Sequence, residues 1–246
     1  VNTIIHITDN SLDPEIAGLC QRVLLQEAGD LPIVSVSQKP LDLGKNICVG
    51  EIGRSWRSFY SQLLTALDHV ETETVAIAEH DCLYTHEALA FVPPDLTVFW
   101  YNANCWLAQW GGNHPELNGM YSYWPRRIPF SQLTCSAALL RQSVEEIYRL
   151  LDMGLRLEKG AHWYGEPGVI EGKLKKAAIE AGSGRCTQLQ RYLKEYVTKY
   201  DHRTWSSAYP SLDIRHGSNF TGPKRGKKRT YELPYWGRFD EAINGR

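Results

Sequence analysis

The sequence predicts an α/β protein, a mixed sheet with helices packed on both of its faces. Three observations carry this expectation. Short apolar runs of strand length alternate with stretches whose apolar residues recur at helical spacing, from Thr3 through Leu157. One run, Val75-Ala76-Ile77-Ala78, reads as a fully buried strand and ends in Glu79-His80-Asp81, two carboxylates flanking a histidine. No Gly-x-Gly-x-x-Gly follows the first strand, and no Gly-x-x-x-x-Gly-Lys-Ser/Thr occurs anywhere, which argues against a dinucleotide fold and a P-loop enzyme.

Taken in order, Thr3 to Thr8 is the first strand. Asp13 to Ala28 is a helix: Asp13 caps it, Pro14 suits its first position, and Ile16, Leu19, Cys20, Val23 and Leu24 share a face. Pro32 to Ser37 is the second strand. Arg54 to Val70 is a helix with Trp56, Phe59, Tyr60, Leu63, Leu64 and Leu67 as its apolar stripe. Val75 to Ala78 is the third strand and Leu96 to Tyr101 the fourth. A further strand lies within Gln132 to Leu140, and Ser143 to Leu157 is an amphipathic helix. Past Tyr200 the glycines and prolines fall among basic residues, and the chain reads as irregular and mobile. The expected organisation is a catalytic body over residues 1–200 and a basic C-terminal segment over 201–246 packed on the same domain.

The 246 residues suffice for a substantial core. No apolar run approaches the roughly 18 residues of a membrane span, and the first residues lack a signal-peptide pattern, so no membrane partner is expected. The six cysteines are scattered, with no Cys-x-x-Cys, which fits reduced thiols in a cytoplasm and argues against a zinc site. The formal net charge is −1, unevenly spread: from Asp201 onward there are nine Lys/Arg against five Asp/Glu. A basic tail on an acidic body suggests an anionic partner.

Ligands of open α/β sheets bind beyond the C-terminal ends of the strands, which here carry Thr8-Asp9-Asn10, Ser37-Gln38-Lys39 and Glu79-His80-Asp81. If strand geometry persists, Glu79 and Asp81 leave on one side of the chain, as a divalent cation would require, and His80 points away to pack. Solvated acids at a strand end are the plainer alternative. Arg54 and Arg57, three apart, could share a face towards a ligand. Trp163-Tyr164-Gly165-Glu166-Pro167-Gly168 forms a tight turn presenting Glu166, a candidate general base or merely a helix-start carboxylate. Tyr101, Asn102, Asn104 and Trp106 are candidates for an acceptor site. Lys224, Arg225, Lys227, Lys228 and Arg229 form the densest cationic run, either a solvated tail, a clamp on a diphosphate, or a grip on a nucleic-acid backbone with Phe220, Tyr231, Tyr235 and Trp236 near it.

In this order the motifs resemble nucleotide-sugar glycosyltransferases of the GT-A fold, and among them the small bacteriophage enzymes that glycosylate modified bases in DNA. The resemblance rests on Thr8-Asp9-Asn10 as a nucleoside-binding edge, on Gly53-Arg54-Ser55-Trp56-Arg57 ahead of the acidic strand, on Glu79-His80-Asp81 in place of an Asp-x-Asp, and on Asp213-Ile214-Arg215-His216-Gly217 as the C-terminal histidine motif. It implies a GT-A-like, Rossmann-type sheet and a metal-dependent transfer from a UDP-sugar to a hydroxymethylated pyrimidine in duplex DNA. Asp81 and His216 would hold Mn²⁺ or Mg²⁺. Glu79, which departs from the family's Asp, would contact ribose, water or metal. Thr8, Asp9, Asn10, Arg54, Arg57, Lys224 and Arg225 would bind the donor, Glu166 would take the acceptor's proton, and Lys227, Lys228 and Arg229 would hold DNA. The localisation implied is a bacterial host's cytoplasm. A saccharide or protein acceptor on the same fold, and a non-catalytic nucleic-acid-binding protein, are the alternatives.

Overall fold

The computed structural model describes residues 1–110, 117–125, 127–153, 166–169, 188–217, 219 and 228–244. In chain order these form β1 (Asn2–Thr8), α1 (Pro14–Ala28), β2 (Ile33–Ser37), β3 (Lys45–Cys48), α2 (Trp56–Leu67), β4 (Thr74–Glu79), β5 (Cys82–Leu83), α3 (His86–Ala90), β6 (Phe99–Asn102), β7 (Cys105–Gln109), β8 (Tyr121–Tyr123), β9 (Leu133–Ser136), α4 (Ala137–Asp152), α5 (Gln188–Lys199), β10 (His202–Trp205), β11 (Ser211–Arg215), β12 (Lys228–Thr230), β13 (Glu232–Leu233), β14 (Gly237–Arg238) and α6 (Phe239–Asn244).

Seven strands make the main sheet in the order β10-β6-β9-β4-β1-β2-β3. β1 is parallel to both β2 and β4, and β9 runs antiparallel to β4 and β6. The central strands are apolar because both faces are covered. On one face Ile5, Ile7, Val34, Val36, Val75 and Ile77 pack against Tyr60 and Leu63 of α2 and Leu140, Val144 and Ile147 of α4. On the other, Ile4, Ile33 and Ala78 meet Leu24 and Ala28 of α1. Burying each such Leu, Ile or Val contributes about 1.5–3 kcal/mol. The expected mixed sheet flanked by helices is therefore the fold, and it is consistent with a GT-A-like arrangement.

A second sheet, β12-β8-β7-β11-β5, packs through Leu212, Ile214, Tyr121 and Ala108 in one core with Ile16, Leu19, Cys20 and Val23 of α1. Here the expectation of an irregular chain after Tyr200 is corrected. β10 extends the main sheet and β11 is buried in the second sheet throughout. Ser-Leu-Asp-Ile-Arg looks half-exposed as a sequence, yet parallel pairing to β7 on one side and antiparallel pairing to β5 on the other covers both of its edges. Leu233, Trp236, Phe239 and Ala242 then seal the end of the same core.

Two boundaries position the site. α2 begins at Trp56, because Ser55 accepts a hydrogen bond from the Ser58 N–H and caps it, so Arg54 precedes the helix. β4 ends at Glu79, and the chain turns through His80 and Asp81 directly into β5. The acids thus lie at the seam where the polypeptide passes from the first sheet to the second.

Candidate functional site

A cleft opens at the C-terminal ends of β1, β2 and β4, where the register brings Thr8 level with Ser37, and Ile7 level with Glu79. Its first wall is the end of β1. Asp9 pairs with Arg54 at 3.0 Å and accepts bonds from the Ser11 N–H and hydroxyl. Burial works against the charged form, but the Ser11 bonds and the charges of His80 and Arg54 outweigh it and hold the Asp9 carboxyl below its ordinary value. The second wall is aromatic: Trp56, Phe59 and Phe130 line it, with Phe59 and Phe130 edge to face at 5.0 Å. Gln38 braces the loop between the walls, donating to the Gly53 carbonyl and accepting from the Ile52 N–H.

The floor is charged. Glu79, Asp81, Glu166 and Asp213 all line the cleft, with Arg127 and Arg215 among them. Burial, then the charges of Asp81 and Asp213, push the Glu79 carboxyl up to about 8. Asp213 pairs with Arg127 and, at 3.3 Å, with Arg215. Burial opposes the Arg127 charge, but Asp213 more than offsets it and raises the guanidinium above its ordinary value. Glu79, Asp81 and Cys82 each offer a ligand atom within 4.8 Å of the others, and the His216 Nε2 lies 3.5 Å from the Asp81 Oδ2. Carboxylate and imidazole donors suit a divalent cation: Glu79 and Asp81 lie at ligand-to-ligand spacing, the His216 imidazole stands beside Asp81, and an added positive charge would relieve the crowding that raises the Glu79 carboxyl. Burial holds the Cys82 thiol well above its ordinary value, which makes it the weakest donor of the group.

The expected residues fall into four groups. Thr8, Asp9, Arg54, Glu79, Asp81 and Glu166 line this one cleft, and His216 adjoins it through Asp81. Asn10 and Arg57 do not line it. Asn10 adopts a φ of 57° and its Oδ1 accepts from the Gln38 and Lys39 N–H groups, both at 2.8 Å, so the side chain ties β1 to β2. Arg57 bonds Asp152 and lies over the Tyr148 ring at 4.5 Å, since the helix start separates it from Arg54. Tyr101 and Asn102 are buried away from the cleft, Asn102 bonding Ser207, and Trp106 packs against the second sheet's core. Lys228 and Arg229 are exposed on β12, the edge of the second sheet; Lys224, Arg225 and Lys227 lie outside the described residues.

Glu166 is carried by a turn closed by the Val169 N–H donating to its carbonyl at 3.1 Å. Pro167 and Gly168, the latter at φ 74°, occupy the central positions, as a type II turn demands. Trp163, Tyr164 and Gly165 lie outside the described residues.

Sequence reasoning missed Asp213, Arg127, Arg215 and Asn219. Asp213 and Arg215 stood inside a quoted motif, but their burial follows from β11 pairing across the second sheet, which no periodicity announces. His80 was expected to pack away from the acids. It lines the cleft instead, with its Nδ1 2.8 Å from the Thr8 hydroxyl, because the chain turns at His80 rather than continuing as a strand. Among the described residues, Cys20, Cys48, Cys82, Cys105 and Cys135 are free, and no helix is long and apolar enough to cross a membrane.

No protein-family model matches the chain, and no curated protein matches it. Among solved structures it is similar to the bifunctional IspDF of Campylobacter jejuni, at 9% identity and a TM-score of 0.39 over 85% of this chain. It is similar also to S. aureus TarS in complex with UDP-GlcNAc, at 12% identity and a TM-score of 0.42 over 88%. A third is the mannosyltransferase PcManGT of Pyrobaculum calidifontis in complex with GDP-Man and Mn²⁺, at 16% and 0.39 over 89%. The chain covers 50%, 59% and 57% of the lengths of these three proteins. Likeness at this level leaves the chemistry of the cleft to be argued from its own residues.

Proposed function

We propose that the chain is a metal-dependent glycosyltransferase that takes a sugar from a UDP-sugar and passes it to a hydroxyl of a saccharide or protein acceptor. The observation that supports this is the convergence of Glu79, Asp81 and Glu166, with His216 beside Asp81, on a cleft whose other walls are the Asp9–Arg54 pair and an aromatic face.

In this reading Asp81, His216 and Glu79 hold Mn²⁺ or Mg²⁺, which supplies Lewis-acid stabilisation of the charge on a departing diphosphate. Thr8, Asp9 and Arg54 address the nucleoside, and Trp56 and Phe59 give its base an apolar wall. Lys224 and Arg225 contribute charge to the diphosphate. The bond from the sugar's anomeric carbon to the phosphate oxygen breaks, and a bond to the acceptor oxygen forms. Glu166 takes the acceptor's proton, as an inverting transfer requires.

One observation favours a second acceptor, a hydroxymethylated pyrimidine in duplex DNA: the consecutive Lys228 and Arg229 are both exposed on an edge strand, continuing the cationic run of Lys227 in sequence.

The test is a panel of UDP-glucose, UDP-galactose and UDP-N-acetylglucosamine with Mn²⁺, each offered to saccharides, peptides, hydroxymethylated DNA and unmodified DNA, read by mass spectrometry. Metal-dependent transfer or donor hydrolysis that disappears in Asp81→Ala is the expected result. A hexose-sized gain on modified DNA alone would select the second acceptor. Neither turnover nor donor binding under any condition would remove the proposal.

A further inference from the structure

The geometry points to Asn219 as the positioning residue that holds Asp81 and His216 in one arrangement for a cation. The inference rests on the reading of those two residues as cation ligands.

Asn219 lies beyond the end of β11, and its amide bonds in three directions. Its Oδ1 accepts the His216 N–H at 2.7 Å. Its Nδ2 donates to the Asp81 Oδ2 at 2.9 Å and to the Ile214 carbonyl at 3.3 Å. Only one orientation of the amide satisfies all three partners, because an N–H group and two acceptors must each face the complementary end. The Asn219 N–H meets the His216 carbonyl at 3.4 Å, and the Ile214 N–H donates to the Asp81 carbonyl at 2.8 Å. The result is a closed set of bonds linking the turn after β4 to the end of β11.

The chemistry of this set is specific to an amide. Asp81 and His216 are far apart in sequence, and they come within 3.5 Å of each other, Oδ2 to Nε2, at the floor of the cleft. A carboxylate rotates freely about its last bond unless a donor fixes its plane. Asn219 supplies that donor to Asp81 while gripping the backbone of His216, so it sets the carboxylate against the imidazole. An aspartate there would have no donor for Asp81, and an apolar residue would have neither function. Partners that orient metal ligands in this way contribute about 10- to 100-fold to metal affinity.

The experiment is Mn²⁺ binding to the full chain by electron paramagnetic resonance, free and bound ion both observed, for wild type, Asn219→Ala, Asn219→Ser and Asp81→Asn. The melting temperature of each without metal is recorded alongside. Asn219→Ser keeps a short acceptor for the His216 N–H but cannot also reach Asp81, so it preserves the fold if Asn219→Ala does not. The expected result is binding by wild type, its loss in Asp81→Asn, and about 10- to 100-fold weaker binding with an altered bound-ion spectrum in both Asn219 variants. Their metal-free melting temperature should move by no more than about 4 °C. Binding as tight as wild type, with an unchanged spectrum, in a folded Asn219 variant overturns the inference and leaves the cation site standing. Failure of wild type to bind Mn²⁺, or undiminished binding by Asp81→Asn, overturns the cation site itself and this inference with it.

Discussion

Arg127 and Asp213 form an ion pair from which water is nearly excluded, their side chains retaining 11% and 4% of full exposure. Arg215 approaches the other Asp213 oxygen at 3.3 Å, so one carboxylate lies between two guanidiniums. Removing one partner of such a pair leaves an uncompensated buried charge and costs about 3–5 kcal/mol. Arg127→Met should fall at the low end, about 3 kcal/mol, because Arg215 remains. Urea denaturation reads this directly. A loss under about 1 kcal/mol would mean that solvent screens the pair as it does a surface bridge.

The two arginines flanking the start of α2 should behave differently. Arg54 sits in the cleft against Asp9, whereas Arg57 is engaged by Asp152 and Tyr148 on the far side. Arg54→Ala should weaken UDP binding about tenfold, equivalent to about 1.4 kcal/mol. Arg57→Ala should leave it within about twofold, because no cleft contact is lost. Calorimetric titration of both variants with UDP decides the matter, and equal losses would place the nucleotide elsewhere.

Gly168 governs where Glu166 stands. Its φ of 74° is left-handed, and a Cβ there would meet the Asp201 carbonyl oxygen at 2.7 Å. The Tyr101 hydroxyl donates to the Pro167 carbonyl at 2.7 Å, which pins the preceding residue to the sheet. Gly168→Ala cannot relax without shifting the turn, at a cost of about 1–3 kcal/mol. Transfer should therefore slow even though Glu166 is untouched. Glu166→Gln should lose about 10²- to 10⁴-fold in kcat while melting like wild type. Full activity in Glu166→Gln would assign the proton to another group.

What the chain disclosed beforehand, and what it withheld, follow from one physical distinction. β1, β2 and β4 were legible because Ile4, Ile5, Ile7, Val34, Val36 and Val75 to Ala78 are apolar on both faces, as only a covered parallel sheet permits. Glu79 and Asp81 were legible as a break in that apolar run. The second sheet was not, because β7, β8 and β11 are short and carry Gln109, Ser122, Asp213 and Arg215, residues that ordinarily face water. Their burial depends on partners more than eighty positions away, such as Arg127 for Asp213. Arg57 stands apart from Arg54 for a local reason: the Ser55 cap starts α2 at Trp56, so Arg54 lies outside the helix and three-residue helical spacing does not relate the two. Asn219 carried no pattern at all, since an amide in an irregular stretch acquires meaning only from the groups it touches.

His6 offers a test of the core that is independent of ligand and acceptor. It lies on β1 at 1% exposure, level with Ser35 and Ala78, and burial first, then the charge of His80, lowers its pKa from 6.5 to about 3. The folded chain therefore keeps His6 neutral where the unfolded chain takes up a proton. Between pH 6.5 and 3 the unfolded state binds more protons at this site, so its contribution to stability is complete above about pH 6.5 and is lost as the pH falls towards 3. In His6→Leu that contribution is absent, because neither state titrates there. Other groups steepen acid unfolding in both proteins alike, and the difference between them isolates His6. Between pH 7 and pH 4, wild type should lose more unfolding free energy than His6→Leu by on the order of 3 kcal/mol. Parallel pH dependences in the two proteins would mean that water or a proton-sharing neighbour reaches His6, and that β1 is less tightly covered on this face than its neighbours Ile4 and Ala78 imply.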